Sequence, residues 1–152
     1  MAPSATHSGA SDDQAGLSVL GGCVDIITFE QILEMDDEDD DREFSKSIVY
    51  GFFDQADSTF LKMEKAITEQ NLQELSSLGH FLKGSSATLG LTKVKDACEK
   101  IQHLGAGKDE SGTVDEPNKA TSLVNIKTTL GRLREDYNEV ERYLKRFYGE
   151  KV

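Results

Sequence analysis

Apolar residues recur along this chain at alternating spacings of three and four, the period of a helix that buries one face. In the longest run, from about Arg42 to Ile67, Val49, Phe53, Ala56, Phe60, Met63 and Ile67 form the seam, and Phe44, Ile48 and Phe52 widen it. A second run opens at Asn71, a residue suited to an N-cap, and places Leu72, Leu75, Gly79, Leu82, Ser86 and Leu89 on one stripe. Thr92 is positioned to cap a third helix, with Val94, Ala97, Cys98, Ile101 and Leu104 inward and Gly105 as its stop. Pro117 suits the first turn of the last helix. There Ile126, Leu130, Leu133, Tyr137, Val140, Leu144 and Phe147 keep the spacing, and Glu141 and Lys145 add an i,i+4 pair. The pattern therefore predicts helices over residues 42–67, 71–89, 92–104 and 117–148, with a polar, glycine-bearing loop at 105–116. A shorter helix over 28–35, capped by Thr28, carries Phe29, Ile32, Leu33 and Met35 and must dock on something to persist. The expected fold is all-α: an antiparallel four-helix bundle with a short extra N-terminal helix. Residues 1–22, rich in Ser, Ala, Gly and Asp, read as a disordered tail, leaving 23–152 as one domain.

Composition narrows the functional classes. A chain of 152 residues with 37% apolar content can build one core. The net charge of −11, with no stripe of Lys or Arg, argues against nucleic acid and against an anionic membrane surface. No stretch approaches the ~20 apolar residues of a membrane span, and the N-terminus has neither a basic nor an apolar signal region. Cys23 and Cys98 make no disulfide framework; Cys98 falls on an apolar helix face and reads as a buried free thiol. A reducing compartment, cytoplasmic and nuclear, is expected. Asp36 through Asp41 are six consecutive acids. They read as a solvated connector favouring the next helix start, with a contribution of Asp36 to a partner surface as the sharper alternative.

Several chemistries fail on spacing. Gly105-Ala106-Gly107-Lys108 is followed by Asp109 and preceded by a helix, so it is not a Walker loop. Kinase signatures are missing. Glu99 and His103 lie four apart on one helix, but a dimetal bundle needs Glu-x-x-His twice with two further glutamates. No motif supports a serine or cysteine triad.

His80 survives this elimination. Helical geometry puts it roughly 150° from the centre of the apolar stripe, facing solvent with Lys83, Gly84 and Ala87. A neutral imidazole is a good nucleophile toward phosphorus, and Lys83 at i+3 can attract a phosphoryl group. Gly84 costs about 1 kcal/mol against Ala at an exposed mid-helix position. Its return is access, since a partner can close over the imidazole there. With one cation and no metal site, the rest of the chemistry has to come from that partner.

The run His80-Phe81-Leu82-Lys83-Gly84-Ser85-Ser86 with Leu89-Gly90 resembles the histidine-containing phosphotransfer (HPt) signature. The likeness extends through Cys98-Glu99-Lys100-Ile101-Gln102-His103-Leu104-Gly105, Met35-Asp36-Asp37, Phe44-Ser45-Lys46 and Asp54-Gln55-Ala56 to fungal phosphorelay intermediates of osmosensing pathways. The resemblance implies a monomeric phosphocarrier, not an enzyme with its own nucleotide. His80 would take phosphate from the receiver-domain aspartate of a hybrid sensor histidine kinase and pass it to the receiver of a response regulator. It implies no cofactor of the chain's own, Mg²⁺ being supplied by the receiver. By position, Lys83 would steady the phosphoryl group, Gln102 would orient the imidazole and Gly84 would give clearance. Ile32, Met35, Asp36, Phe44, Ile48 and Ser85 would form the docking patch. A binding module of the same fold that is never phosphorylated is the competing expectation.

Overall fold

The computed structural model describes residues 23–37 and 42–150, and five helices account for most of them. They are α1 (Ile26–Leu33), α2 (Glu43–Thr68), α3 (Leu72–Thr88), α4 (Thr92–Gly105) and α5 (Lys119–Phe147). The expected tail at 1–22 and most of the acidic run lie outside the described residues. No helix among the described residues is long and apolar enough to cross a membrane.

The spacing-derived seams are the observed core. Val49, Phe53, Ala56, Phe60 and Met63 of α2 are buried, as are Val94, Ala97, Cys98, Ile101 and Leu104 of α4 and all seven seam residues of α5. The helices form the expected bundle, and α3 packs most extensively against α4. The α2 and α5 backbones stand further apart because aromatic rings fill the space between them. Tyr137 meets Phe60 edge-on at 5.1 Å and Phe53 at 6.2 Å. Such ring pairs prefer edge-to-face geometry and hold their helices at ring thickness.

Several helix ends differ from the sequence expectation, each for a local reason. Asp25, not Thr28, caps α1: its carboxylate accepts from the Ile27 amide at 3.2 Å and from the Thr28 hydroxyl at 2.9 Å. An aspartate one turn upstream reaches the free amides that Thr28, already helical, cannot. α1 consequently ends at Leu33, leaving Met35 just beyond it. Thr92 is the first residue of α4, and the cap position belongs to Leu91. Pro117 precedes the last helix; Asn118 caps α5 by accepting from the Ala120 and Thr121 amides. Gly105 does not stop α4 but is its last helical residue, where a Cβ would meet Ser76 N at 2.6 Å and Leu72 O at 2.7 Å. The expected cap at Asn71 is present, its side chain accepting from the Glu74 amide.

α1 is fastened at its start and in its middle. The Asp25 amide donates to Gly90 O at 2.6 Å, and Gly90 has a φ of +76°, which favours glycine. In mid-helix Phe29 is fully buried, 5.7 Å edge-on from Phe147. This anchoring sets α1 beside the C-terminal end of α3 and the start of α2.

Candidate functional site

His80 lies in the interior of α3, exposed, and its imidazole makes no hydrogen bond to a described residue. The stripe that turns it outward is the buried one: Leu75, Leu78, Gly79, Leu82 and Ser86 face the core. One turn on, Gly84 is exposed, and a Cβ there would meet nothing within 4 Å. The bare floor expected beside His80 is therefore open space. Phe81, half-exposed at 50%, is the neighbouring apolar side chain.

Lys83 stands on α3 and Gln102 on α4, the helix packed against it. The Lys83 ammonium lies 3.6 Å from a Glu99 carboxylate oxygen on α4. A surface pair of this kind contributes little stability, so the cation is held near the site without being committed there. Glu99 has a role here that sequence spacing obscured, since it was paired on paper with His103. His103 instead turns to the loop after α4, its Nδ1 at 2.8 Å from Glu110 O and its ring against Gly112.

Gln102 is brought to α3 by a backbone contact. Gly79 lies so close to α4 that a Cβ would meet Cys98 O at 2.8 Å and Gln102 N at 2.9 Å. Ser76 Oγ donates to Gln102 O at 2.8 Å on the same seam. The Gln102 side chain thus starts next to the residue preceding His80, and its Oε1 is a buried acceptor with no donor. A buried acceptor left unpaired costs about 1–3 kcal/mol.

The expected docking residues separate into two groups. Met35 is 64% exposed and Phe44 42%, while Ile48 and Ser85 are half-buried at the surface. Ile32, by contrast, is 7% exposed and belongs to the core beneath α1. Expected in the docking patch, it stands beneath α1, which buries it with Phe29 and so stays attached. The outward apolar residue of α1 is Ile27, 74% exposed. Asp36, also expected in the patch, is half-buried, and its carboxylate is engaged within the chain. It accepts from the Ser45 amide at 2.7 Å and the Ser45 hydroxyl at 2.6 Å, while Tyr148 donates to Ser45 Oγ at 2.7 Å. Sequence reasoning also missed Gln55, whose Oε1 receives the Ser85 hydroxyl at 3.4 Å. It is a polar residue at the edge of the apolar face that Ile48 and Phe52 widen, so periodicity did not single it out.

The cysteines are free and buried. Burial pushes the Cys98 thiol up to about 12, and burial with the Glu139 carboxylate beside it pushes Cys23 up to about 11. Neither is a thiolate nucleophile at neutral pH.

The Hpt domain family matches residues 48–143, more than half of the chain. In sequence the chain is similar to multistep phosphorelay regulator 1 of Schizosaccharomyces pombe, 46% identical over 82% of this chain and 42% of that protein. It is also similar to the phosphorelay intermediate protein YPD1 of Saccharomyces cerevisiae, 49% identical over 62% of this chain and 53% of that one. The chain thus spans about half the length of these relatives. In structure it resembles S. cerevisiae Ypd1 as co-crystallised with the receiver domain of its downstream response regulator Ssk1. The TM-score there is 0.72 at 32% identity, covering 86% of this chain and 97% of that one.

Proposed function

The chain belongs to the Hpt domain family, and from that premise we propose that it is a phosphorelay intermediate whose His80 carries the phosphoryl group between receiver-domain aspartates. The donor would be the receiver of a hybrid histidine kinase and the acceptor the receiver of a response regulator. One observation carries the reading: an exposed imidazole in mid-helix with open space at Gly84 beside it.

In the forward step a ring nitrogen of His80 attacks phosphorus, the N–P bond forms, and the P–O bond to the receiver's aspartate breaks, returning a carboxylate. Passing the group on reverses these bonds with a second aspartate. Gln102 Oε1, an acceptor in search of a donor, would take the N–H of one ring nitrogen and leave the lone pair of the other outward. Lys83 would leave Glu99 for the arriving phosphoryl oxygens, where an ion pair between fuller charges is stronger. The Mg²⁺ that supports such transfers is expected on the receiver. Two free buried thiols fit a reducing cytoplasmic and nuclear setting, and the working unit is read as a monomer.

The test is phosphotransfer from receiver domains loaded with acetyl phosphate. Wild-type protein should acquire acid-labile, alkali-stable phosphate, and His80→Gln should acquire none while keeping its helical circular dichroism. Receiver binding by wild type without any labelling would favour the unphosphorylated binding module, and labelling of His80→Gln would sink the assignment.

A further inference from the structure

We propose that the cleft between α2 and α3 floored by Gly51 seats a bulky uncharged side chain of the docking receiver domain, which makes Gly51 a determinant of which receivers bind. The inference rests on the phosphocarrier reading and adds to it a site and a selectivity rule. Gly51 sits in the interior of the 26-residue helix α2, exposed, and a Cβ there would meet nothing within 4 Å. Neither packing nor backbone conformation calls for glycine, yet glycine weakens a helix interior relative to alanine. The same combination occurs at Gly84 beside His80.

The space above Gly51 is a cleft of about 350 Å³. Ile48, Phe52 and Leu89 give it an apolar base, and Gln55, Ser85 and Thr88 give it a polar rim. None of its lining residues is ionisable, in a chain where 30% of residues are charged. A charged side chain entering it would be desolvated without a counter-ion, whereas an aromatic or branched aliphatic one would rest on the apolar base with hydroxyl and amide groups at its edge. That is the arrangement of an interface anchor point.

Its position along α3 brings it within reach of a partner docked at His80. At 1.5 Å per residue, Ser85 and Leu89 lie about 8 and about 13 Å from His80 along α3. A partner burying about 800 Å² of this chain covers a disc of roughly 16 Å radius around the histidine. Along the helix axis the cleft falls inside that radius.

The experiment compares the full chain with its Gly51→Leu and Gly51→Ala variants. The probes are fungal receiver domains that bind the wild type, with the Ssk1 receiver of budding yeast in the panel. Leucine should fill the cleft and weaken receiver affinity at least tenfold. The KM for transfer should rise equally while kcat stays within twofold, and the melting temperature should not fall below wild type. Alanine should cost less than threefold. Equal receiver affinity for Gly51→Leu and wild type overturns the proposal. So does a change in sedimentation with receiver affinity unchanged, which would give the cleft to a second copy of this chain. If no receiver binds or labels the wild type, the phosphocarrier reading itself falls, a result independent of residue 51.

Discussion

At Lys83 two acceptors compete for one ammonium: the Glu99 carboxylate in the structure and the phosphoryl oxygens in the proposed reaction. A partly exposed pair 3.6 Å apart is easily exchanged. Lys83→Ala is expected to slow transfer about tenfold, the effect of ~1.4 kcal/mol on a barrier, with receiver affinity within about twofold of wild type. Rapid-quench kinetics and calorimetry separate the two. Cys98 supports a prediction of another kind. Burial holds its pKa near 12 against an ordinary 9.0, so the folded protein keeps a proton that the unfolded chain releases. The stabilisation is complete below pH 9 and is eroded as pH climbs toward 12, by about 1.4 kcal/mol per unit at most. A pH series of melting curves should show a shallower alkaline decline for Cys98→Ala than for wild type. Identical slopes would count against it. His80, Gly84 and the buried Cys98 were legible from helical phase alone. The Lys83–Glu99 pair was not, because it joins residues on different helices whose rotation about one another no single-helix wheel contains.

Among the helices, glycines of the same chemical type do opposite jobs. At Gly79 an added methyl would press on Cys98 O and Gln102 N, both main-chain atoms that cannot swing aside. Gly79→Ala should therefore lower stability by about 1–3 kcal/mol and slow transfer by shifting Gln102. Gly84→Ala, in open space, should raise stability by up to ~1 kcal/mol. Chemical denaturation of the two variants decides the signs. Asp36 makes a second case. Arg42 gives α2 no side-chain cap, and the Asp36 carboxylate supplies one from nine positions upstream through Ser45. Asp36→Ala should cost about 1–2 kcal/mol, measurable by urea unfolding; a residue serving only a partner would leave the free protein's stability unchanged. Sequence pattern found all five helices but misplaced several ends. Periodicity reports the buried face and is nearly silent on the flanking residues, where one carboxylate in reach of a free amide decides the boundary. Asp36 was invisible as a cap for the same reason: its connection passes through residues 38–41 and reads in sequence as one acid among six.

For the molecule as a whole, the fold supplies a frame, a nucleophile and a cation, and the proposed reaction draws the remainder from a second protein. Among the described residues no group of three or more His, Cys, Asp or Glu side chains is arranged to hold a metal ion. Chelation should thus leave the chain's melting temperature unmoved while stopping exchange with a receiver, a contrast that EDTA titration with and without excess Mg²⁺ reads directly. The surface is similarly divided. Phe81, Met35, Phe44 and Ile27 are exposed apolar side chains on a protein of net charge −11. In the proposed relay, that charge would favour a monomer, and the apolar residues would give a receiver area to cover.

The backbone contacts at Gly79 and Gly105 bear finally on timing. With α4 pressed against α3 at both ends of the segment that leads to His80, the helix under the histidine is a closely braced mount. A kinase and a regulator would then meet an identical berth and have to use it in turn. The tempo of the relay would be set by how soon each visitor leaves.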